Sequence, residues 1–389
     1  MTDRKDVLLK AWEHGCNRLD DGADPDAAQA EVAKIIAIGD ELTPKPHPIR
    51  EAWAPTPLDM FTVAPPEREW LLMRPDEETN GHGHAKGVFP LGKVGMLAAA
   101  GGVGKTAAVV RLAIAVALGK PWLGGWAPDV SKRGRVLLAL AEEDAAEIHR
   151  RLYYVANQME LPDPLLREAA GRIVALPLAG IPAPLIEQGA DGKPVEGEAL
   201  RVIRELLSEP GEPWRLLIFD PLSRFGSADT EKDNAAATRL VQAFETMVKL
   251  PGTPSVLVVH HTSQASRDGK SDVGTTAARG VTGLGDGFRW VATLEEKNIT
   301  LDSGDVERVV LRNTKNNYAA KAPPVWLART EHGALRDETA NERADRCALL
   351  EDAKQKKTNG KAPTRKKNGP DGDSAADEPE VDVLAGVKF

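Results

Sequence analysis

Cysteine is scarce in this chain of 389 residues, which contains only Cys16 and Cys347. The two lie far apart in the sequence, so they form neither a CxxC metal pair nor the repeated spacing of a disulfide framework. Small secreted domains that depend on disulfides are therefore excluded. We expect a reducing compartment, and the predicted location is the cytoplasm.

Long apolar runs and an excess of basic charge are also missing. The sequence has no stretch of about 20 apolar residues and no apolar run near its start, so we expect neither a membrane span nor a signal peptide. The formal net charge of -8 argues against a surface covered by nucleic-acid-binding lysines. It leaves room for a local basic channel. Hydrophobic residues make up 42% of the chain, enough for a sizeable core.

A glycine-rich segment between two apolar segments is the most informative part of the sequence. Val94 to Ala98 is predicted to be a buried strand, Ala99–Lys105 a turn, and the segment from Thr106 onward a helix. This order is typical of a P-loop, in which backbone N–H groups and a helix N-terminus bind phosphate. The predicted nucleotide-binding residues are Ala100, Gly101, Gly102, Val103, Gly104, Lys105 and Thr106.

Two residues of the P-loop have predicted chemical roles. Lys105 would reach the β- and γ-phosphates of ATP as a catalytic cation, and the Thr106 hydroxyl would bind Mg²⁺. The match to the pattern G-x-x-x-x-G-K-[ST] has one departure, because Ala99 occupies the position of the first glycine. The alternative is a glycine loop that arose by chance.

Alternating apolar strands and helices between residues 91 and 336 predict an α/β fold. Strands with continuous apolar runs, such as Trp214–Asp220, indicate a mainly parallel central sheet flanked by helices. Short helices are expected near the N-terminus, and the composition of the C-terminal segment predicts a disordered tail. We predict three parts, which are an N-terminal helical segment and linker (1–60), an ATPase core (61–350) and a charged tail (351–389).

Two carboxylates are expected at the sheet edge that carries the P-loop, since ligands of such sheets bind at the carboxyl ends of strands. Asp220 ends an apolar strand in the Walker B form and would hold Mg²⁺. Glu142 ends the strand after the P-loop helix and would activate the attacking water, with Glu143 and Asp144 as close competitors. The alternative is that these acids only begin a helix, where negative charge suits the helix dipole.

Two histidines and two long polar loops follow other strands at the same edge. His260 and His261 could contact the γ-phosphate, or they could be bonded to backbone carbonyls. The loops Pro221–Asp233 and Thr262–Thr276 contain glycine, and the second carries Arg267 and Lys270. Long loops on a rigid sheet commonly carry function. Single-stranded nucleic acid is a reasonable ligand for them if several copies line a ring.

These segments resemble those of the RecA-fold ATPases of the hexameric helicase type, and among them the RepA replicative helicases of plasmids and their phage relatives. The resemblance spans residues 67–330 and implies a RecA-like core. It is carried by the segments Ala100-Gly-Gly-Val-Gly-Lys-Thr106, Ala141-Glu-Glu-Asp144, Ile148-His-Arg-Arg-Leu152, Phe219-Asp-Pro-Leu-Ser-Arg-Phe225, Val259-His-His-Thr262, Arg279-Gly280, Phe288-Arg-Trp290 and Lys315-Asn-Asn-Tyr318.

The resemblance implies roles for individual residues. Glu142 matches the catalytic glutamate, and His261, or alternatively His260, matches the γ-phosphate sensor. Arg289 matches an arginine finger that enters the site of the neighbouring subunit. Lys315 resembles a second trans-acting cation.

Arg279 is the runner-up for the finger. The alternative for each of these cations is a surface ion pair. A finger makes chemical sense, because the charge that develops on the transferring phosphoryl group needs a positioned cation.

The function expected from this resemblance is an ATP-hydrolysing, Mg²⁺-dependent ring, expected to be a hexamer, that moves on single-stranded DNA and unwinds duplex during replication. Its expected partners are single-stranded DNA, further copies of itself and a replication protein recruited by the tail. The alternatives are a RecA-fold ATPase that acts as a regulatory switch and a strand-exchange protein that forms open filaments.

Overall fold

The structure is a computed structural model, and it divides the chain into two compact units, Met1–Glu67 and Arg68–Phe389. The residues that it describes are 4–42, 49, 55–75, 85–189, 193–227, 230, 234–262, 287–301 and 304–359.

The first unit contains the helices that the sequence predicts near the N-terminus. They are α1 (Arg4–Asp20), α2 (Pro25–Leu42) and the single turn α3 (Asp59–Thr62). The Asp24 carboxylate accepts a hydrogen bond from the backbone N–H of Ala27 at 3.2 Å, which stabilises the start of α2. Ala11 of α1 and Ala28 of α2 are both fully buried.

The second unit is built on a nine-stranded sheet. In chain order, its strands and those of two small hairpins are β1 (Trp70–Arg74), β2 (Lys86–Pro90), β3 (Val94–Ala99), β4 (Arg135–Leu140), β5 (Ile173–Pro177), β6 (Ile186–Gln188), β7 (Pro194–Glu196), β8 (Trp214–Asp220), β9 (Ser255–His261), β10 (Trp290–Leu301), β11 (Gly304–Asn316), β12 (Val325–Arg329) and β13 (Leu335–Asp337). The helices are α4 (Lys105–Leu118), α5 (Ala145–Gln158), α6 (Asp163–Arg172), α7 (Glu198–Ser208), α8 (Asn234–Met247) and α9 (Ala340–Asn359).

The strand order of the large sheet is β13-β12-β11-β10-β3-β9-β8-β4-β5. The strands from β10 to β5 in this order pair in parallel, and those from β10 to β13 pair antiparallel. One strand, β9, lies between the P-loop strand β3 and β8, which ends in Asp220. The predicted α/β fold, a RecA-like core with a mainly parallel sheet, is confirmed.

Both faces of the parallel strands are buried, which explains their continuous apolar sequences. Alternate residues enter separate clusters, so that Leu257 packs with the P-loop helix α4 on one face and Val258 packs with α7 and α8 on the other. The sheet is thus held rigidly between two layers, and its carboxyl edge can position side chains precisely enough for chemistry.

The structure extends several of the predicted elements. β10, predicted to end at Leu294, runs to Leu301, because its second half pairs with β11 in a two-stranded ribbon outside the apolar core. Helix α9 continues to Asn359, inside the segment 351–389 that the sequence assigns to the tail. Its sequence is polar throughout, so no apolar periodicity marks it. Residues 360–389 lie outside the described part. Among the described helices, none is long and apolar enough to span a bilayer.

Candidate nucleotide-binding site

The P-loop connects the end of β3 to the start of α4. Gly102 and Gly104 have φ angles of 83° and 102°, in the left-handed region that only glycine enters without strain. A Cβ atom added to Gly101 or Gly102 would meet nothing within 4 Å, so the outer surface of the turn is open to a ligand. Val103 is buried in the core and anchors the middle of the loop.

Lys105, the first residue of α4, is buried beneath the loop. Its ammonium group donates hydrogen bonds to the carbonyl oxygens of Ala99, at 3.0 Å, and Ala100, at 2.7 Å. Burial lowers the pKa of Lys105, whereas the negative charges of Asp220 and Glu142 act to raise it. Two of its three N–H donors are used within the loop, which leaves one for a further acceptor.

Thr106 and Asp220 meet at the floor of the site. The Thr106 hydroxyl donates a 2.8 Å hydrogen bond to Oδ2 of Asp220. Burial raises the pKa of Asp220 to about 6, against the lowering effects of the Thr106 hydrogen bond and the Lys105 charge.

These groups fit Mg²⁺, because its preferred ligands are hydroxyl, carboxylate, phosphate and water oxygens. A divalent cation would also compensate the buried carboxylate. Within the described residues no cluster of three or more His, Cys, Asp or Glu side chains occurs. Thr106 and Asp220 would therefore hold the ion together with water and nucleotide oxygens.

Glu142 lies beside this pair because β4 and β8 are neighbours, with Leu140 opposite Asp220. Its side chain is half exposed, and one carboxylate oxygen lies 3.4 Å from Nε of Arg224. The structure separates it from the two acids that follow it. Glu143 forms a 2.6 Å ion pair with Arg151, and Asp144 caps α5 by accepting a hydrogen bond from a backbone N–H. Both of these acids thus have structural contacts, whereas Glu142 lies at the open edge.

The two histidines at the end of β9 lie next to the P-loop strand. His261 is opposite Ala99, and its Nε2 is 3.9 Å from Oε2 of Glu142. His260 is one residue earlier in the strand, so it points to the other face of the sheet. Of the two, His261 is the one that the structure brings together with Glu142.

Arg289 lies at the opposite edge of the sheet. β10 runs parallel to β3 with Trp290 opposite Gly95, so Arg289 is level with the start of β3. The P-loop follows Ala99, at the end of β3. Five residues of strand, at about 3.3 Å each, separate the two edges by about 17 Å. Arg289 is therefore too far from the P-loop of its own chain to contact a nucleotide bound there.

Lys315 lies beside Arg289. It is opposite Val291 in the β10–β11 ladder, so the two predicted trans-acting cations share one edge. A cleft of about 500 Å³ opens here, and Lys93, Lys249 and Arg289 are among its lining residues. Arg289 is exposed, and its side chain forms no ion pair with any residue in the described ranges. The predicted roles of both cations stay predictions.

Two arginines near the site were not assigned roles from the sequence. Arg224 follows Asp220 by four residues and contacts Glu142; its place in the Phe219–Phe225 segment was a usable signal. Arg329 donates a 2.8 Å hydrogen bond to the carbonyl of Gly102, inside the P-loop. It lies more than 200 residues along the chain from that loop, and no local pattern distinguishes it.

Some predicted features lie outside the described residues. They are Arg279, most of the loop Thr262–Thr276 with Arg267 and Lys270, and part of the loop Pro221–Asp233.

Comparisons with known proteins complete the description of the site. The family model AAA_25, described as an AAA domain, matches residues 53–267. Two solved structures are similar to the chain: the ATPase domain of a helicase (14% identity, 64% of this chain and 85% of that chain, TM-score 0.42) and the RadB recombinase (15% identity, 64% and 92%, TM-score 0.41). No curated protein sequence is significantly similar to it.

The segment matched by the family model includes the P-loop, Glu142, Asp220 and His261, which the structure gathers at one edge of the sheet. Because the family model covers more than half of the sequence, this chain belongs to the AAA domain family of P-loop ATPases.

Proposed function

We propose that this ATPase is the subunit of a ring, expected to be a hexamer, that moves along single-stranded DNA and unwinds duplex DNA during replication, as RepA-like helicases do. The observation that carries the proposal is the position of Arg289 and Lys315. They lie together at the sheet edge that faces away from the chain's own P-loop. If they act on a phosphate, that phosphate is bound by another copy.

In this proposal each group at the P-loop edge has one task in ATP hydrolysis. The P-loop N–H groups and Lys105 bind the phosphates, while Thr106 and Asp220 hold Mg²⁺, which neutralises phosphate charge when bound. Glu142 orients and deprotonates the attacking water. His261, 3.9 Å from Glu142, contacts the γ-phosphate and reports its loss to the loop that follows β9. Electrostatic stabilisation of the transition state is the main source of catalysis in such sites.

The remaining charge stabilisation comes from the neighbouring subunit. Arg289 enters the neighbour's site as the finger, and Lys315 supplies a second cation beside it. Loss of an arginine finger reduces turnover by roughly 10³-fold or more in related chemistry. A shared site also makes ring formation necessary for activity, because repeated head-to-tail contacts close into a ring when the rotation permits.

Single-stranded DNA is the proposed ligand of the loops that follow β8 and β9. Both loops begin at the carboxyl edge beside the bound nucleotide, so a change at the γ-phosphate can move them directly. Arg267 and Lys270 of the second loop would contact the DNA backbone.

A second candidate is a regulatory switch of the same fold. The net charge of -8 and the small number of basic residues in the two loops favour it. A strand-exchange protein would differ from both in forming open filaments.

ATP turnover by the purified chain, measured with and without single-stranded DNA, tests the proposal. Stimulation by single-stranded DNA, together with closed rings in electron micrographs, is expected for the motor. Turnover that does not respond to DNA would favour the switch, and helical filaments would favour the strand-exchange protein. A forked duplex with a labelled strand then tests unwinding.

A further inference from the structure

We propose that Arg329 is a positioning residue that sets the conformation of the P-loop and thereby its affinity for nucleotide. The inference deepens the proposed function, since it rests on nucleotide binding at the P-loop, but it does not depend on DNA or on ring formation.

The first support is the contact between Arg329 and the middle of the P-loop. Nη1 of Arg329 donates to the carbonyl oxygen of Gly102 at 2.8 Å. In a planar trans peptide the C=O and the following N–H point in opposite directions. Fixing the Gly102 carbonyl toward Arg329 therefore aims the N–H of Val103 to the other side of the loop. P-loops bind phosphate with such N–H groups, so this contact orients one donor in advance.

The second support is that the guanidinium group is itself held in place. Nε of Arg329 donates to Glu307 at 2.8 Å, and Nη2 lies 3.7 Å from Glu296. Both acids belong to the β10–β11 hairpin, next to β12, which ends at Arg329. An arginine with several fixed partners loses little further entropy when it holds the loop.

The third support is a second contact, made by the β12–β13 hairpin to which Arg329 belongs. Leu335, at the start of β13, is buried against Gly104, where an added Cβ would lie 3.4 Å from the leucine side chain. Arg329 and Leu335 are paired across the β12–β13 turn. This hairpin thus touches the P-loop at two points, both of them at glycines with positive φ. It braces the part of the loop that has the most conformational freedom without it.

The fourth support is the charge balance at the loop. Lys105 already holds the carbonyls of Ala99 and Ala100, and Arg329 holds that of Gly102. Three of the carbonyl oxygens between Ala99 and Gly102 are therefore bonded to cations. Carbonyl oxygens that are occupied in this way cannot turn toward a bound phosphate and repel it.

The test is the affinity of the full chain for MgADP, measured by calorimetry, together with kcat and KM for ATP. We expect Arg329→Ala to weaken MgADP binding about tenfold, since a hydrogen bond from a charged donor is lost. KM should rise accordingly, and kcat at saturating ATP should change less than about threefold. Arg329→Lys should recover part of the affinity, because an ammonium group can still donate to the carbonyl.

Two further variants separate positioning from general damage. Arg201→Ala removes an exposed ion pair on α7, away from the P-loop, and should bind MgADP like the wild type. Glu307→Gln keeps an acceptor for Arg329 and should cost less affinity than Arg329→Ala. If Arg329→Ala does not fold, Arg329→Lys still tests the inference, because it should bind MgADP more weakly than Arg201→Ala protein does.

Unchanged MgADP affinity in Arg329→Ala, tighter binding, or a fall in kcat without a change in affinity would each overturn the inference. Failure of the proposed motor function would look different. ATP turnover would then be independent of DNA while the Arg329 variants still differed in MgADP affinity.

Discussion

Asp220→Asn should stabilise the protein when no metal is present, although it should abolish turnover. The cause is burial, which raises the pKa of Asp220 from 3.8 to about 6. Because the folded-state pKa is the higher one, the protonated carboxyl contributes stability that is fully present below pH 3.8 and is lost as the pH rises through about 6. Each pKa unit corresponds to about 1.4 kcal/mol. Ionised Asp220 thus lowers the free energy of unfolding by about 3 kcal/mol at pH 8 and by about half as much at pH 5.

Asparagine has no charge to bury and can still accept the hydrogen bond from Thr106. The assay is urea unfolding in EDTA between pH 5 and 8, compared for the wild type and Asp220→Asn. We expect the variant to be more stable by up to about 3 kcal/mol at pH 8, with the difference falling toward pH 5. Glu338→Gln is the matched control, because Glu338 is buried but pairs with Arg308 and Arg346, so this change should destabilise.

Destabilisation by Asp220→Asn at pH 8, or a difference that does not vary with pH, would refute the reasoning. The first result would mean that the charge is compensated within the protein. The second would mean that the substitution acts by packing and not by charge.

Three further predictions concern activity. Lys105→Ala should abolish ATP hydrolysis, because the loop loses its buried cation, and near-normal turnover would remove the P-loop assignment. Glu142→Gln should bind ATP like the wild type but turn over at least about 100-fold more slowly, whereas Glu143→Gln should mainly lower stability by breaking its ion pair with Arg151; equal loss of ATP binding in Glu142→Gln would make Glu142 structural. Deletion of residues 360–389 should leave basal turnover intact and weaken binding to single-stranded DNA at low salt, since the segment begins with basic residues, and a truncated chain that cannot fold would contradict this expectation.

The sequence was sufficient for the parts of the site that follow strands. Glu142, Asp220 and His261 each end an apolar strand, and parallel strands bring their carboxyl ends to one edge. Their proximity could therefore be predicted without knowing the strand order. The P-loop itself was predictable because its glycines, lysine and threonine occur in consecutive positions.

Contacts made by distant segments could not be predicted in this way. Arg329 reaches Gly102 only because β12 and β13 extend the sheet on the antiparallel side and fold back over the loop. The choice of Glu142 over Glu143 also needed the structure, since it depends on the ion pair of Glu143 with Arg151. Likewise, the edge on which Arg289 lies follows from the parallel pairing of β10 with β3, which is a property of the sheet order and not of the local sequence.

The central claim is that a nucleotide site needs a second copy of the chain, and mixing two inactive variants tests it most directly. Arg289→Ala protein has an intact P-loop but no finger, and Lys105→Ala protein has a finger but no working P-loop. Mixed after confirmed subunit exchange, they should regain part of the wild-type ATP turnover at interfaces where the intact P-loop meets the intact finger. Turnover of the mixture that stays at the level of the separate variants would contradict a site shared between subunits.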